Sequence, residues 1–496
     1  MNEKYKNQSL NAIIFVSGAA VMILELIGSR ILAPYLGTSI FVWASLIGII
    51  LGSLSLGYYL GGQISEKNPQ LSILAKILFF GGISILLITL IKQPVLNFAM
   101  AQGVKFGSIS ATLLLFALPS VILGMVSPYA IRLKIENIQG SGEVAGNLYA
   151  LSTLGSIAGT FLAGFYLIPA FGSTQILFGL SLILILSSLL SGKFKLKIAA
   201  LVFIGLVWLI FQTIPSPYIF ETDSAYNHIR VADKFYGTDK IPIRILYLAT
   251  ETHSIIYKNS PNLFSKYEQF YLLDNLFQPQ IKKALTLGGG AYVAPVNFLS
   301  RYPEAEMTVV EIDPKVTEVA KKYFQLADDP RLKIYHQDGR LFLNQNKTTY
   351  DIIYGDAFAS YYSIPFQLTT EETVEKIYQS LSDNGILVLN LISSLSGEKS
   401  IFFQAEYLTL KQFFPQIYIF PAHYYDGTNT EKSQNIVIIA SKNQSRLTKQ
   451  ELLDKSSDIQ KELVSHLWTN EIKIDAGVKI LTDEFAPVDY YISKLL

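Results

Sequence analysis

Two hydrophobic rhythms divide the chain. From Ile13 to about Thr213 apolar runs repeat with few charges between them, and from Glu221 onward apolar and polar positions mix as they do in soluble domains. A bilayer core about 30 Å thick takes about 20 apolar residues of helix. By that measure the first part predicts spans at Ala12–Leu32, Val42–Leu60, Ile73–Ile91, Ser108–Met125, Leu148–Ile168, Ile176–Leu190 and Ile198–Ile214. The count is seven, or eight if Pro94–Phe106 also enters the membrane. The first run, after Lys4 and Lys6, has the look of a signal peptide, but the similar runs behind it make it the first of several spans. Ser53, Gly57 and Gly61 form one strip of small residues, and Gly155 and Gly159 another, at the spacing that lets helix backbones approach closely in lipid.

After the proline-punctuated Thr213–Pro217 the period changes. Residues His228–Asp233, Ile243–Ala249 and Thr252–Tyr257 read as short strands of a small β-unit. Strand and helix then alternate. Lys283–Leu287 leads into Gly288, Gly289 and Gly290 and a helical stretch to Ser300, and Met307–Val310 ends at Glu311 before a helix at Pro314–Phe324. Leu332–His336 ends at Gln337-Asp338-Gly339, Asp351–Tyr354 ends at Gly355-Asp356, and a helix at Thr370–Leu381 precedes a fifth strand at Gly385–Leu391. This order predicts a mostly parallel sheet covered by helices on both faces. Three regions follow: residues 1–217 as a transmembrane helical domain, 218–282 as the β-unit, and 283–496 as a Rossmann-like α/β domain.

Composition sharpens the division. Of 496 residues, 50% are hydrophobic and only 16% charged, against roughly a quarter charged in soluble proteins. A wholly soluble enzyme is excluded, and the length of the polar second part excludes a pure transporter. With 40 basic and 39 acidic residues, nothing advertises nucleic acid as a partner. The absence of cysteine excludes disulfides, thiolate metal sites and a cysteine nucleophile. Glu25 is the acidic residue well inside a span, where carboxylates usually face a cavity or a partner. Arg30 lies about 140° around the same helix and does not face it directly.

Orientation pulls two ways. Lys67, Lys76, Arg132, Lys134, Lys193, Lys195 and Lys197 fall in loops on the side of the N-terminus and Lys92 and Lys105 opposite, which puts the N-terminus in the cytosol. Seven spans then leave the second half outside, and eight return it to the cytosol. The expectation is a multi-pass protein of the cell membrane with a cytosolic soluble part.

In an open α/β sheet, ligands sit beyond the carboxyl ends of the strands, where the glycine run, Glu311, Asp338 and Asp356 all fall. Glycines admit close backbone approach. An acidic residue ending the second strand suits the two hydroxyls of a ribose, and Asp338 could accept from an adenine amino group. Gly288-Gly289-Gly290-Ala291-Tyr292-Val293 lacks the third glycine of the dinucleotide fingerprint, so S-adenosylmethionine or its decarboxylated form fits better than NAD.

With these motifs in place, Glu221–Leu391 resembles the spermidine synthase (polyamine aminopropyltransferase) family, and the whole chain resembles its membrane-fused branch, including Gly28–Gly48 and the closing Leu481–Tyr491. The resemblance implies an integral membrane transferase moving an aminopropyl group from decarboxylated S-adenosylmethionine to a small amine, without a metal. It implies Asp356 as catalytic base and Asn227, Gly288, Gly289, Gly290, Glu311, Asp338 and Gly339 as cofactor contacts. Tyr267, Glu268, Tyr361, Tyr362 and Pro365 become the acceptor side; the aromatics Phe358, Tyr361 and Tyr362 either wall an amine by cation–π contact or pack. The lipid bilayer and a small amine are the partners it implies, and a homo-oligomer is compatible with it.

Departures from the pattern are specific. Asn227 stands where the family has Gln, Glu268-Gln269 where it has His-Glu, Ala291 and Ala359 where it has Asp, and His253 where it has a Gln near the pocket. Buried cations need carboxylate partners, so the losses at 269, 291 and 359 open the alternative of a membrane-tethered methyltransferase using S-adenosylmethionine, or of an acceptor other than putrescine. A second alternative, of a different class, is a transporter carrying a nucleoside-sensing domain.

Overall fold

A computed structural model describes residues 3–135, 140–189, 201–202, 204–205, 207–209, 217–357 and 364–495. The chain divides into two compact units, Met1–Ser216 with Thr222–Ala225, and Pro217–Glu221 with Tyr226–Leu496.

The first unit is helical: α1 (Glu3–Leu36), α2 (Ile40–Lys67), α3 (Leu71–Met100), α4 (Gly103–Gly124), α5 (Val126–Lys134), α6 (Ser141–Leu162) and α7 (Ser173–Ser188). Helix α4 continues through Met125 into α5, and α6 through a π-helical turn at Ala163–Leu167 to Ala170. Among the described residues, five helical stretches are long and apolar enough to cross a membrane: Tyr5–Leu36, Ile40–Lys67, Leu71–Met100, Gly103–Lys134 and Ser141–Ala170. The sixth expected span is α7, which at 16 residues falls short of the roughly 20 a bilayer requires. The seventh, Ile198–Ile214, lies largely outside the described residues. Pro94–Phe106 forms no element of its own, because α3 carries Pro94 within it and runs to Met100.

Both small-residue strips sit at backbone contacts. A Cβ on Gly155 would lie 2.1 Å from the Phe15 carbonyl oxygen of α1, and one on Gly57 would lie 2.2 Å from the Val121 carbonyl oxygen of α4. Larger residues there would force α6 off α1 and α4 off α2. Glu25 is half-buried on α1.

The second unit opens on a four-stranded sheet in the order β1 (Phe220–Asp223), β2 (His228–Tyr236), β3 (Ile241–Leu248), β4 (Glu251–Tyr257). A seven-stranded sheet follows, built from β5 (Lys283–Leu287), β6 (Glu306–Val310), β7 (Leu332–Tyr335), β8 (Tyr350–Gly355), β9 (Leu381–Ser393), β10 (Gln416–Pro421) and β11 (Gln434–Ser441), in the order β10-β11-β9-β8-β5-β6-β7. Strands β5 to β9 are parallel to their neighbours, while β11 pairs antiparallel with both β9 and β10.

Alternation along the strands feeds two cores. On one face Leu285, Ile353, Leu387 and Leu389 pack with residues of α11 (Glu371–Gln379) and α12 (Ile401–Lys411). On the other, Ala284, Ile352, Tyr354 and Val388 pack with Phe270, Phe277 and Phe298, the last on α8 (Val293–Arg301). A sheet covered on both faces reads in sequence as near-continuous apolar runs, which is the character of the β8 and β9 segments.

Candidate active site

The strand order reverses at β5, where the chain steps first to β6 and β7 and later across to β8, leaving a crevice at the carboxyl ends. There, a cavity of about 260 Å³ is bounded by every sequence-predicted site residue that is described: Asn227, Tyr267, Glu268, Gly288, Gly289, Gly290, Glu311, Asp338, Gly339, Asp356 and Pro365. Tyr361 and Tyr362, together with Phe358 and Ala359, lie outside the described residues.

Gly288 joins the two halves of this crevice. Its φ is +98°, and a Cβ there would stand 2.7 Å from the backbone oxygen of Asp356. Only glycine meets both demands.

At the β6–β7 side the carboxylates are held by backbone. Glu311 Oε2 accepts from the N–H of Gly289 (2.8 Å) and Gly290 (3.3 Å), and Oε1 from Asp313 N–H (2.9 Å). Burial pushes the Glu311 carboxyl up and these three donors oppose it. Asp338 caps α10 (Gly339–Gln345), its Oδ1 accepting from the N–H of Arg340 (2.8 Å) and Leu341 (3.1 Å). Its Oδ2, 3.5 Å from the Gln367 amide, is the oxygen available to a ligand. Gln337 and Gln367 line the same end. Asn227 donates to Asp313 Oδ2 at 3.3 Å. The closing Leu481–Tyr491 segment stays outside the cavity and braces this end, Asp483 pairing with Arg340 (2.7 Å) and accepting from Thr370 (2.7 Å).

At the β8 side the carboxylates depend on side chains. Asp356 Oδ1 accepts from Asn390 Nδ2 (3.1 Å), and Oδ2 lies 3.5 Å from the Tyr267 hydroxyl. Asn390 is itself oriented by Asn435, which donates to its Oδ1 at 3.0 Å. The Tyr271 hydroxyl, without a formed hydrogen bond, is close enough to favour the charge on Asp356. Burial outweighs these donors and raises the Asp356 carboxyl to about 6. Glu268 is 3% exposed, and burial together with the neighbouring Asp356 lifts it further, to about 8. Desolvation holds the His253 imidazole at about 4, neutral at physiological pH.

Behind Asp356 stands a second, saturated carboxylate. Asp274, fully buried, takes a two-pronged ion pair from Arg301 (2.8 and 2.9 Å) and hydroxyl donors from Tyr302 and Tyr354, both at 2.7 Å. It fixes the segment bearing Tyr267 and Tyr271 against β8.

Two expected losses of charge turn out to lie off the cavity wall. Gln269 turns its amide to the Leu263 carbonyl (3.3 Å), and Ala291 packs in an apolar cluster with Ile229, Val231, Leu246 and Val316. Sequence reasoning missed Asn390, Tyr271 and Asn435. Asn390 left one trace, a buried amide inside the apolar run of β9.

The spermine/spermidine synthase domain family matches residues 268–442. A polyamine aminopropyltransferase of Vibrio vulnificus is 30% identical over 234 residues, spanning 46% of this chain and 75% of that protein. The chain belongs to the polyamine aminopropyltransferase (spermidine synthase) family. It is thereby a transferase of polyamine biosynthesis. Polyamine aminopropyltransferase 2 of Aquifex aeolicus is 25% identical over 403 residues, 74% of this chain and 77% of its own. That stretch is longer than the second unit, so the likeness of this family member reaches into the helical one. The fold of a probable spermidine synthase from Corynebacterium glutamicum overlays 54% of this chain and 97% of its own, at 19% identity and a TM-score of 0.44.

Proposed function

We propose that the protein is a membrane-integral aminopropyltransferase that uses decarboxylated S-adenosylmethionine and an amine acceptor, with Asp356 as general base. The observation that carries this reading is the charge of the cavity. Its described lining includes four acidic side chains, Glu268, Glu311, Asp338 and Asp356, and no lysine or arginine. Such a wall favours a donor that ends in an ammonium over one that also carries a carboxylate, and it favours a cationic acceptor.

Glu311 is suited to the ribose hydroxyls, and Asp338 with Gln337 to the base. Asp356 takes a proton from the acceptor ammonium, freeing the nitrogen lone pair. That pair attacks the carbon beside the sulfonium, a C–N bond forms as the C–S bond breaks, and a neutral thioether leaves. Tyr267, whose own proton is held by burial and by the Asp356 charge, steadies the base. Alignment of acceptor and donor in one crevice supplies much of the remaining rate.

Calorimetry of the purified protein with each donor tests the substrate. Tighter binding of the decarboxylated form is expected, and tighter binding of S-adenosylmethionine itself would replace this reading with methyl transfer. Asp356→Asn should keep nucleoside affinity and lower turnover by about 10²–10⁴-fold; undiminished turnover would remove Asp356 from the mechanism. For the helical unit we read a multi-pass bundle in the cell membrane, with the soluble unit on the cytosolic side. A reporter fused after Leu496 should give a cytosolic signal, and a periplasmic one would overturn that placement.

A further inference from the structure

The helical unit holds a carboxylate that no described side chain neutralises. Glu25 is half-buried on α1 and makes no hydrogen bond or ion pair among the described residues. Arg30, on the same helix, is turned instead to the backbone oxygen of Ser224. A carboxyl group inside a membrane is costly, and such groups face a bundle interior or a water-filled cavity and mark the paths of substrates and ions.

Close contacts place Glu25 among the other helices. Gly18 abuts Ser152 of α6 and Gly28 abuts Phe116 of α4, where a Cβ would stand 3.4 Å from the ring. Glu25, seven residues after the one and three before the other, stands on the face of α1 between α6 and α4. A Cβ on Gly107 would lie 3.0 Å from the Leu36 side chain, so numbers fall along α1 as they rise along α4. One turn beyond Phe116 this register brings Ser120 to the level of Leu24 and Glu25. Ser120 is 1% exposed, and its hydroxyl has no hydrogen-bond partner. Its neighbours on α4 differ, since Ser108 and Thr112 bond back to the carbonyls of Val104 and Ser108. On α6, Gly155 meets Phe15 and Gly159 meets Ala19, and the same interval carries Glu25 to Phe165, inside the π-helical turn Ala163–Leu167. That turn touches α1, and such turns are frequent at functional sites.

We propose that Glu25 and Ser120 form a binding site for an alkylammonium ion within the helical unit, separate from the cavity of the α/β sheet. This rests on the reading of that unit as membrane-integral, and it gives the helices of a polyamine-family transferase an amine site of their own. An ammonium carries three N–H donors and no acceptor, and the two oxygens of Glu25 with the Ser120 hydroxyl offer three acceptors. The cation supplies the counter-charge that Glu25 lacks, and a charge-assisted hydrogen bond in a dry site is among the stronger polar contacts available. A calcium ion takes six or more oxygen ligands, and no cluster of three or more acidic or histidine side chains is present among the described residues. Leu24 and Phe116 belong instead to the apolar core of the bundle, which suits an alkyl chain.

The test uses the full chain in lipid nanodiscs, saturated with methylthioadenosine and dialysed against radiolabelled 1,4-diaminobutane. The wild type should bind one amine in the sheet cavity and a second in the helical unit. Glu25→Gln should weaken the second by at least about tenfold, leaving the first amine and methylthioadenosine within about twofold, and Ser120→Ala should weaken the same site by roughly three- to tenfold. Unchanged amine binding in either variant would overturn the proposal. So would a second site that sodium fills in preference to the amine. If Glu25→Gln no longer binds methylthioadenosine, Glu25→Asp decides. A second amine retained in this charge-keeping variant supports the proposal, and its loss with the nucleoside still bound rejects it. A single wild-type site that survives Glu25→Gln also rejects it, whereas a single site that Glu25→Gln abolishes supports it and strikes the transferase reading of the cavity. Release of the chain from membranes by alkaline carbonate strikes the membrane reading on which the proposal stands.

Discussion

The two ends of one cavity treat the same functional group differently. At the β6–β7 end, Glu311 and Asp338 sit on backbone N–H groups that no substitution of a neighbouring side chain removes. At the β8 end, Asp356 and Glu268 depend on an amide, a phenol and a serine, and burial wins over those donors. The contrast separates two tasks. A carboxylate that binds a neutral sugar needs a fixed direction, whereas one that takes a proton near neutral pH needs an affinity for protons well above the ordinary carboxylate range.

The comparison breaks most visibly if the scaffold between the ends is removed. Asp274→Asn leaves the half-buried Arg301 without its counter-charge, and we expect a loss of about 2–4 kcal/mol in denaturation of the full chain, somewhat below that of a fully buried pair. A loss below about 1 kcal/mol would mean that the network does not hold the Tyr267–Tyr271 segment on β8. At the backbone-held end, Glu311→Gln should lower methylthioadenosine affinity by roughly ten- to a hundred-fold, measured by calorimetry, without moving the pH profile. The smallest effect tests the side-chain-held end. The Asn390 hydrogen bond favours the charged form of Asp356, so Asn390→Ala leaves burial less opposed and raises the carboxyl further above 6. Since the base must be ionised to act, the acid limb of kcat/KM should move to higher pH, by up to about one pH unit. A shift to lower pH would show that Asn390 does not stabilise the charge.

Much of this was legible in sequence because position in a parallel sheet is itself a chemical statement. Gly288, Glu311 and Asp356 each follow directly on an apolar strand, Asp338 comes just after β7 behind His336 and Gln337, and every such strand end opens on the same crevice. What stayed hidden depends on partners distant in the chain. Asn390 looks like an interruption of β9 until Asp356 and Asn435 are placed beside it, and Tyr271 is one more aromatic in an aromatic segment. The glycine loop also sets Ala291 in the apolar cluster with Val231 and Leu246, a placement its position in the motif does not announce. In the helical unit the apolar runs located the long helices well. The π-helical turn in α6 had no sign in the apolar pattern, whereas the shortness of α7 was already visible in the short run Ile176–Leu190.

The contact between Asn390 and Asn435 has a further consequence. In the antiparallel pairing of β9 with β11, Asn390 stands opposite Val437 and Asn435 opposite Ile392, so the two amides meet on the diagonal of one face. A slip of a single residue between these strands would send Asn435 to the opposite face. The proton affinity of the base is thus written in the alignment of two strands that the substrate never touches. An insertion or deletion in the β10–β11 hairpin would be read out as a change in pH optimum before it was read out as a loss of fold.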